Sequence, residues 1–228
     1  PMGAVKAHPL EFAGKTHEDK RKRLAATLKE AGEKAAVITL PDSLCWLLNI
    51  RGSDIPRNPV AQGFCVLHDD ARVDHFLADE KLTEIDAHLG ADVQQHDPLA
   101  LLNHLETLQG PVRLEKSSVP VIVADTLGDE AVWGDDPCAL PKACKNAAEV
   151  AGSAAAHLRD GAAIVELLAW LDGKQPGTTR ETQVVTRLEN IRKRDTALQD
   201  VSFETISGTG PNGAVIHYRV TEATDSVL

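Results

Sequence analysis

Aromatic side chains are scarce in this chain: Phe, Trp and Tyr make up 4% of its 228 residues. With 43% hydrophobic residues an ordinary core is still within reach, but Leu, Val, Ile and Ala must build it. Positive charge is also short, at 24 Lys and Arg against 34 Asp and Glu, a formal charge of -10. A nucleic-acid-binding face needs the opposite balance, which argues against that partner. An anionic membrane surface is an equally poor match. No apolar run approaches the roughly 20 residues that cross a bilayer, and residues 1–20 lack the apolar centre of a signal peptide. The cysteines Cys45, Cys65, Cys138 and Cys144 form no Cys-x-x-Cys pair. They read as reduced thiols among apolar or helical residues, in a cytoplasmic protein without a disulfide frame or zinc site. Internal repeats and low-complexity tracts are absent.

What is present is an alternation of helical and strand patterns. HEDKRKRLAATLKEA (17–31) sets Leu24, Leu28 and Ala31 at helical spacing, with Gly32 as a stop. AAVITL (35–40) is a buried strand, and Pro41-Asp42-Ser43 is a turn or helix start leading into SLCWLLNI. GFCVLH (63–68) and RVDHFLA (72–78) flank Asp69-Asp70 as a hairpin. An amphipathic helix over 79–90, a short strand DVQQH, a helix over 97–110 opened by Asp and Pro, and a strand PVRLE (111–115) follow. VPVIVADTL (119–127) fits strand or helix, and helix is preferred. The pattern predicts an α/β domain with a central sheet.

Turn residues Gly134-Asp135-Asp136-Pro137 and Pro141 then mark a boundary near residue 141. Beyond it the spacing predicts one alanine-rich helix from Lys142 to Asp172, a loop over 173–177, and a second helix from Thr178 to Arg194 capped by Thr178 or Thr179. The chain closes on a strand, a glycine turn and a strand that presents His217.

Few residues point to chemistry by themselves. Gly208-Thr209-Gly210-Pro211-Asn212-Gly213 fits G-x-G-x-x-G, but the β-branched run AVIHYRV follows where a dinucleotide site needs a helix. The glycines and Asn212 read as suppliers of positive φ for a turn. Arg51 and Asp54 of RGSDIP read as a local ion pair, or as a loop leaning on a substrate cleft. His68, His75, His88, His96 and His104 show no metal-ligand spacing and read as surface or packing residues. Trp46, Trp133 and Trp170 read as core or interface. His217 alone reads as a strand histidine held by a backbone carbonyl.

Three stretches change that reading. DSLCWLLNIRGSDIPRNPV (42–60), LPKACKNAAEVAGSAAAHLRDGAAIVELLAWL (140–171) and FETISGTGPNGAVIHYRV (203–220) stand in the order found in aminopeptidase P, the Xaa-Pro aminopeptidase branch of the pita-bread metallopeptidases. The chain resembles that family over nearly its whole length. The resemblance implies a creatinase/prolidase-type N-terminal domain with a central mixed sheet and flanking helices over residues 1–141. It implies that 142–228 open an incomplete α+β pita-bread catalytic domain. Sister enzymes such as prolidase or creatinase, and metal-free relatives that bind proteins, share this plan.

The same resemblance implies the chemistry. Enzymes of this family release the N-terminal residue from peptides whose second residue is proline, using two divalent metal ions, usually manganese. All their ligands match positions beyond residue 228, so no metal ligand is carried over and the fragment alone is expected to hold no metal and to lack activity. Asp225 matches no ligand and reads as a solvated loop residue. His217 matches the histidine of a His-Tyr motif that faces substrate, where it would bond the substrate carbonyl or carry a proton. Arg51 is a second candidate for substrate contact. The helices and hairpin of 142–228, left without their usual sheet, would pack on a partner chain, rearrange or stay mobile, so a homo-oligomer, or poor order in this half, is expected.

Overall fold

The fold was obtained as a computed structural model, which describes residues 3–82 and 85–228. Its elements run β1 (Lys6–Ala7), α1 (Leu10–Ala13), α2 (His17–Glu30), β2 (Ala35–Ile38), α3 (Pro41–Leu47), β3 (Ile50–Arg51), β4 (Phe64–His68), β5 (Val73–Phe76), α4 (Asp86–Leu89), β6 (Val93–Gln95), α5 (Leu101–Leu105), β7 (Val112–Leu114), α6 (Val121–Leu127), β8 (Ala131–Trp133), α7 (Ala139–Ala143), α8 (Ala147–Asp172) and α9 (Glu181–Arg192). The chain divides into two compact units, Pro1–Val150 and Ala151–Leu228.

In the first unit six strands form a mixed sheet in the order β6-β5-β4-β2-β7-β8. The hairpin β4–β5 is antiparallel, as its Asp69-Asp70 turn predicts, while β7 runs parallel to β2 and β8. Helices cover both faces, which is why the central strands read as unbroken apolar runs. Ala36 and Ile38 of β2 join Leu24 and Leu28 of α2 and Leu44 and Leu47 of α3 in one core. Their neighbours Ala35 and Val37 point the other way, to Leu101 and Leu105 of α5 and Val123 and Leu127 of α6. Within 119–127 the helix preferred from sequence is present as α6, which starts at Val121 directly after the extended Pro120.

Several predicted spans are corrected. The helix over 79–90 is a 3-10 turn at Asp79–Lys81 and a short α4, with residues 83 and 84 outside the described residues. The helix over 97–110 shrinks to a 3-10 turn at Pro98–Ala100 and α5. The alanine-rich helix is two helices, α7 and α8. Asn146 separates them: its Oδ1 accepts from the Ala148 and Glu149 amides at 3.0 and 3.1 Å, and its own amide donates to Glu149 Oε2 at 2.8 Å. That reciprocal capping box starts a new helix. Trp133 is exposed and so is no core residue, and Cys144 is exposed at the end of α7. Cys45, Cys65 and Cys138 are free thiols and buried.

The second unit is a helical hairpin. Ala163 and Leu167 of α8 pack on Val184, Leu188 and Ile191 of α9. Arg192 pairs with Asp160 at 2.6 Å and Arg187 with Glu166 at 2.9 Å, so the two helices run antiparallel. The cap of α9 is neither Thr178 nor Thr179. Arg180 occupies that position, its amide donating to Gln183 Oε1 at 2.9 Å. No helix among the described residues is long and apolar enough to cross a membrane.

Candidate functional site

Glu181 opens α9, and no part of it reaches solvent. A buried carboxylate must find donors, or it costs more than folding can offset. Glu181 finds four groups: the Thr209 amide at 2.6 Å, the Tyr218 hydroxyl at 2.7 Å, Asn212 Nδ2 at 3.1 Å and the Ser226 amide at 3.3 Å. Burial pushes its pKa up, but these donors outweigh burial and hold the carboxyl below its ordinary range. So engaged, Glu181 is a fixed acceptor around which residues 203–228 are arranged.

This arrangement replaces the predicted terminal hairpin. Gly210–Ala214 form one 3-10 turn, with Gly210 at φ +51°, and a second turn follows at Ile216–His217. Asn212 is not a positive-φ residue; its side chain serves Glu181. The β-branched run reads as a strand, yet a strand needs a partner ladder. Among the described residues nothing pairs with 214–220, and the segment curls, leaving Ile216 85% exposed. The last residues lie beside the start of α9 instead: the Glu181 amide donates to the Ser226 carbonyl at 3.0 Å and the Leu228 amide to the Thr179 carbonyl at 2.8 Å. Asp225 is no free loop residue, since its carboxylate accepts from the Thr182 amide at 3.1 Å and the Thr182 hydroxyl at 2.9 Å.

His217 sits on the exposed turn in left-handed backbone, φ 55°. Among the described residues its side chain makes no hydrogen bond or ion pair, so neither the strand nor the carbonyl partner read for it is present. Backbone of this kind is unfavourable for a residue with a Cβ and is retained where the surroundings impose it. Its neighbour Tyr218 takes the buried place beside Glu181.

Arg51 ends β3 in the first unit, half-buried, its guanidinium donating to the Ile50 carbonyl at 2.8 Å. The expected Arg51–Asp54 pair is not formed. Asp54 pairs with Lys81 at 2.5 Å and accepts from the Gly3 and Gln62 amides at 2.9 and 2.7 Å, and both charged side chains are buried. Beside Arg51 lies His8, whose imidazole is held at about 4 by burial and then by the Arg51 and Lys20 charges. Sequence spacing also missed a cluster: His68, His96 and His104, from separate elements, converge on Asp74. His75 is buried and His88 donates to the Leu48 carbonyl at 3.0 Å, as packing residues.

Residues 1–149 match the creatinase/prolidase N-terminal domain. The chain belongs to this family. Residues 143–228 match metallopeptidase family M24. The whole chain is 34% identical over 244 residues to "Probable Xaa-Pro aminopeptidase P" of Talaromyces stipitatus, and 35% identical over 246 residues to the protein of the same name in Neosartorya fischeri. It spans about 37% of the length of each. Among solved structures it is similar to the X-prolyl aminopeptidase of Caenorhabditis elegans, described as a cytosolic enzyme with a di-nuclear active site. The TM-score is 0.90 at 30% identity, over 98% of this chain and 38% of that one. The aminopeptidase P resemblance of the three stretches and the mixed-sheet N-terminal domain are thereby established.

The di-nuclear centre of that relative does not fit the residues present. Among the described residues, no three His, Cys, Asp or Glu side chains of the second unit come close enough to hold an ion.

Proposed function

We propose that this chain is the N-terminal part of an Xaa-Pro aminopeptidase, with residues 1–141 as its creatinase/prolidase-type module and 142–228 as the opening of its catalytic domain. The observation that carries this reading is the fit of the entire chain, in one order, to an X-prolyl aminopeptidase at a TM-score of 0.90. The substrate is a peptide with proline second, whose scissile bond has no N–H. Two divalent ions, manganese by family chemistry, supply the hydroxide when bound to the complete enzyme. The compartment is the cytoplasm.

In this reading His217 faces substrate. Its exposed imidazole is free to donate to the scissile carbonyl or to hold a proton, and its left-handed backbone supports a position retained for function. Arg51 is the second substrate-facing group. The exposed Leu158, Val165 and Leu168 of α8 support self-association of the chain as a homo-oligomer.

In the full-length polypeptide with manganese, His217→Ala should lower kcat for Arg-Pro-Pro by about 100-fold or more, while the 228-residue chain alone should show no turnover. An unchanged kcat removes His217 from the site. Failure of the full-length polypeptide to release the first residue of any Xaa-Pro peptide removes the whole reading.

A further inference from the structure

One cluster in the first unit has no part in that reading. Asp74 projects from β5 on the face of the sheet that carries α5, and it is almost wholly buried. Three imidazoles reach it from three places in the fold. His68 ends β4, His96 follows β6, and His104 lies in α5. His68 Nε2 is 2.6 Å from Asp74 Oδ2, His96 Nε2 is 2.8 Å from Oδ1, and His104 Nε2 is 3.2 Å from Oδ2.

One carboxylate is a poor match for three imidazoles as a purely structural device. Two of them, His68 and His96, already form well-shaped hydrogen bonds to it. The third, His104 Nε2, is buried at the same carboxylate and makes no hydrogen bond of acceptable geometry. Buried polar atoms left in that state are uncommon and costly. If all three rings were cationic their mutual repulsion would open the cluster. If all were neutral, the third nitrogen would remain unpaired. A cation taking lone pairs from the imidazoles resolves both difficulties.

The donor set is suited to that. His68, Asp74 and His104 each bring one ligand atom, and these atoms lie within 4.8 Å of one another. Ligands about 2.0–2.2 Å from a common zinc ion stand roughly 3–4 Å apart, so small side-chain shifts would admit the ion. The rings are already oriented. Phe76, itself buried, lies 5.3 Å centroid to centroid from both His96 and His104. The His68 and His104 side chains are 13% and 20% exposed, which leaves an approach from solvent.

We propose that His68, Asp74 and His104 form a binding site for a divalent transition-metal ion, zinc above others, with His96 holding the second carboxylate oxygen. Two imidazoles and one carboxylate are a borderline-soft set that favours zinc over calcium or magnesium. Three protein ligands leave a fourth position for water, and a ligating carboxylate held by a neighbouring imidazole has the support that bound carboxylates need. All residues of the site lie in the first unit.

The test is titration of the chelator-treated 228-residue chain with zinc sulfate by calorimetry, and with cobalt(II) by absorbance. The expected result is one zinc per chain and the strong visible bands of four-coordinate cobalt. His68→Gln and His104→Gln should each weaken zinc at least about 100-fold, and His96→Gln by about 10- to 100-fold. His157→Gln, on exposed α8, should change nothing. Absence of zinc binding at millimolar metal would overturn the proposal, as would affinity unchanged in both ligand variants. Should those variants lose their far-ultraviolet circular dichroism, X-ray absorption of the zinc-loaded wild-type chain decides: two imidazoles in the coordination shell support the site, and none refutes it.

Discussion

Tyr218 Oη donates to a Glu181 carboxylate oxygen at 2.7 Å across 37 positions of sequence. The Tyr218 hydroxyl is also 3.2 Å from Thr224 Oγ1, and Asn212 Nδ2 lies 3.0 Å from Tyr218 Oη. One buried acid and one buried phenol thus fix a segment that has no ladder of its own.

Tyr218→Phe removes one donor and leaves the ring. The melting temperature of the second unit should fall by about 5 °C, read by near-ultraviolet circular dichroism. Because Glu181 is held below its ordinary value, the stability it contributes is present above that value and is lost as pH falls through the folded one. Tyr218→Phe should therefore flatten the acid limb of the melting profile. An unaltered limb would show that Glu181 is not the anchor.

Asp54→Ala should be more damaging in the first unit. It strands Lys81, whose side chain is 4% exposed, and removes the acceptor of two backbone amides. Breaking one side of a buried pair costs about 3–5 kcal/mol, measurable by urea denaturation. Asp54→Ala with Lys81→Met should recover a large part of that loss.

His8 predicts a dependence on mild acid. Its imidazole titrates at about 4 in the folded chain, first through burial and then through Arg51 and Lys20, with Glu149 acting in the opposite direction. Between that value and the ordinary 6.5 the unfolded chain holds the extra proton, so stability is lost as pH falls through this window. Burial lowers His17 and His104 in the same direction. His8→Gln should reduce the slope of stability against pH from 6.5 to 4, followed by denaturant midpoints.

Asn146→Ala should cost about 1 kcal/mol through loss of the cap of α8. It also removes the 2.9 Å bond from Asn146 Nδ2 to the Ala13 carbonyl. Gly14→Ala should be at least as harmful, because Gly14 has φ 68° and an added Cβ would collide with the Asn146 side chain. Thermal unfolding of both variants provides the comparison.

Much of the sheet was legible because its signals are local. AAVITL is apolar on both alternations, the mark of a strand covered on two faces, and the Asp69-Asp70 hairpin is a contiguous pattern. The C-terminal segment was not legible. AVIHYRV carries strand propensity, but propensity yields to the available partners, and the pull of Glu181 on Tyr218 and Asn212 decided its path. The break at Asn146 had a readable signal in Asn-Ala-Ala-Glu, which alanine richness obscured. The Asp74 cluster had none, since its histidines belong to β4, the end of β6 and α5 and meet only after the sheet is assembled.

The opposed side chains of β2 have a practical use. Val37 and Ile38 are covalent neighbours, yet one faces α5 and α6 and the other α2 and α3. Methyl groups labelled at these two positions would report separately on two hydrophobic compartments in a nuclear magnetic resonance spectrum. Loosening of either layer could then be followed without disturbing the signal of the other.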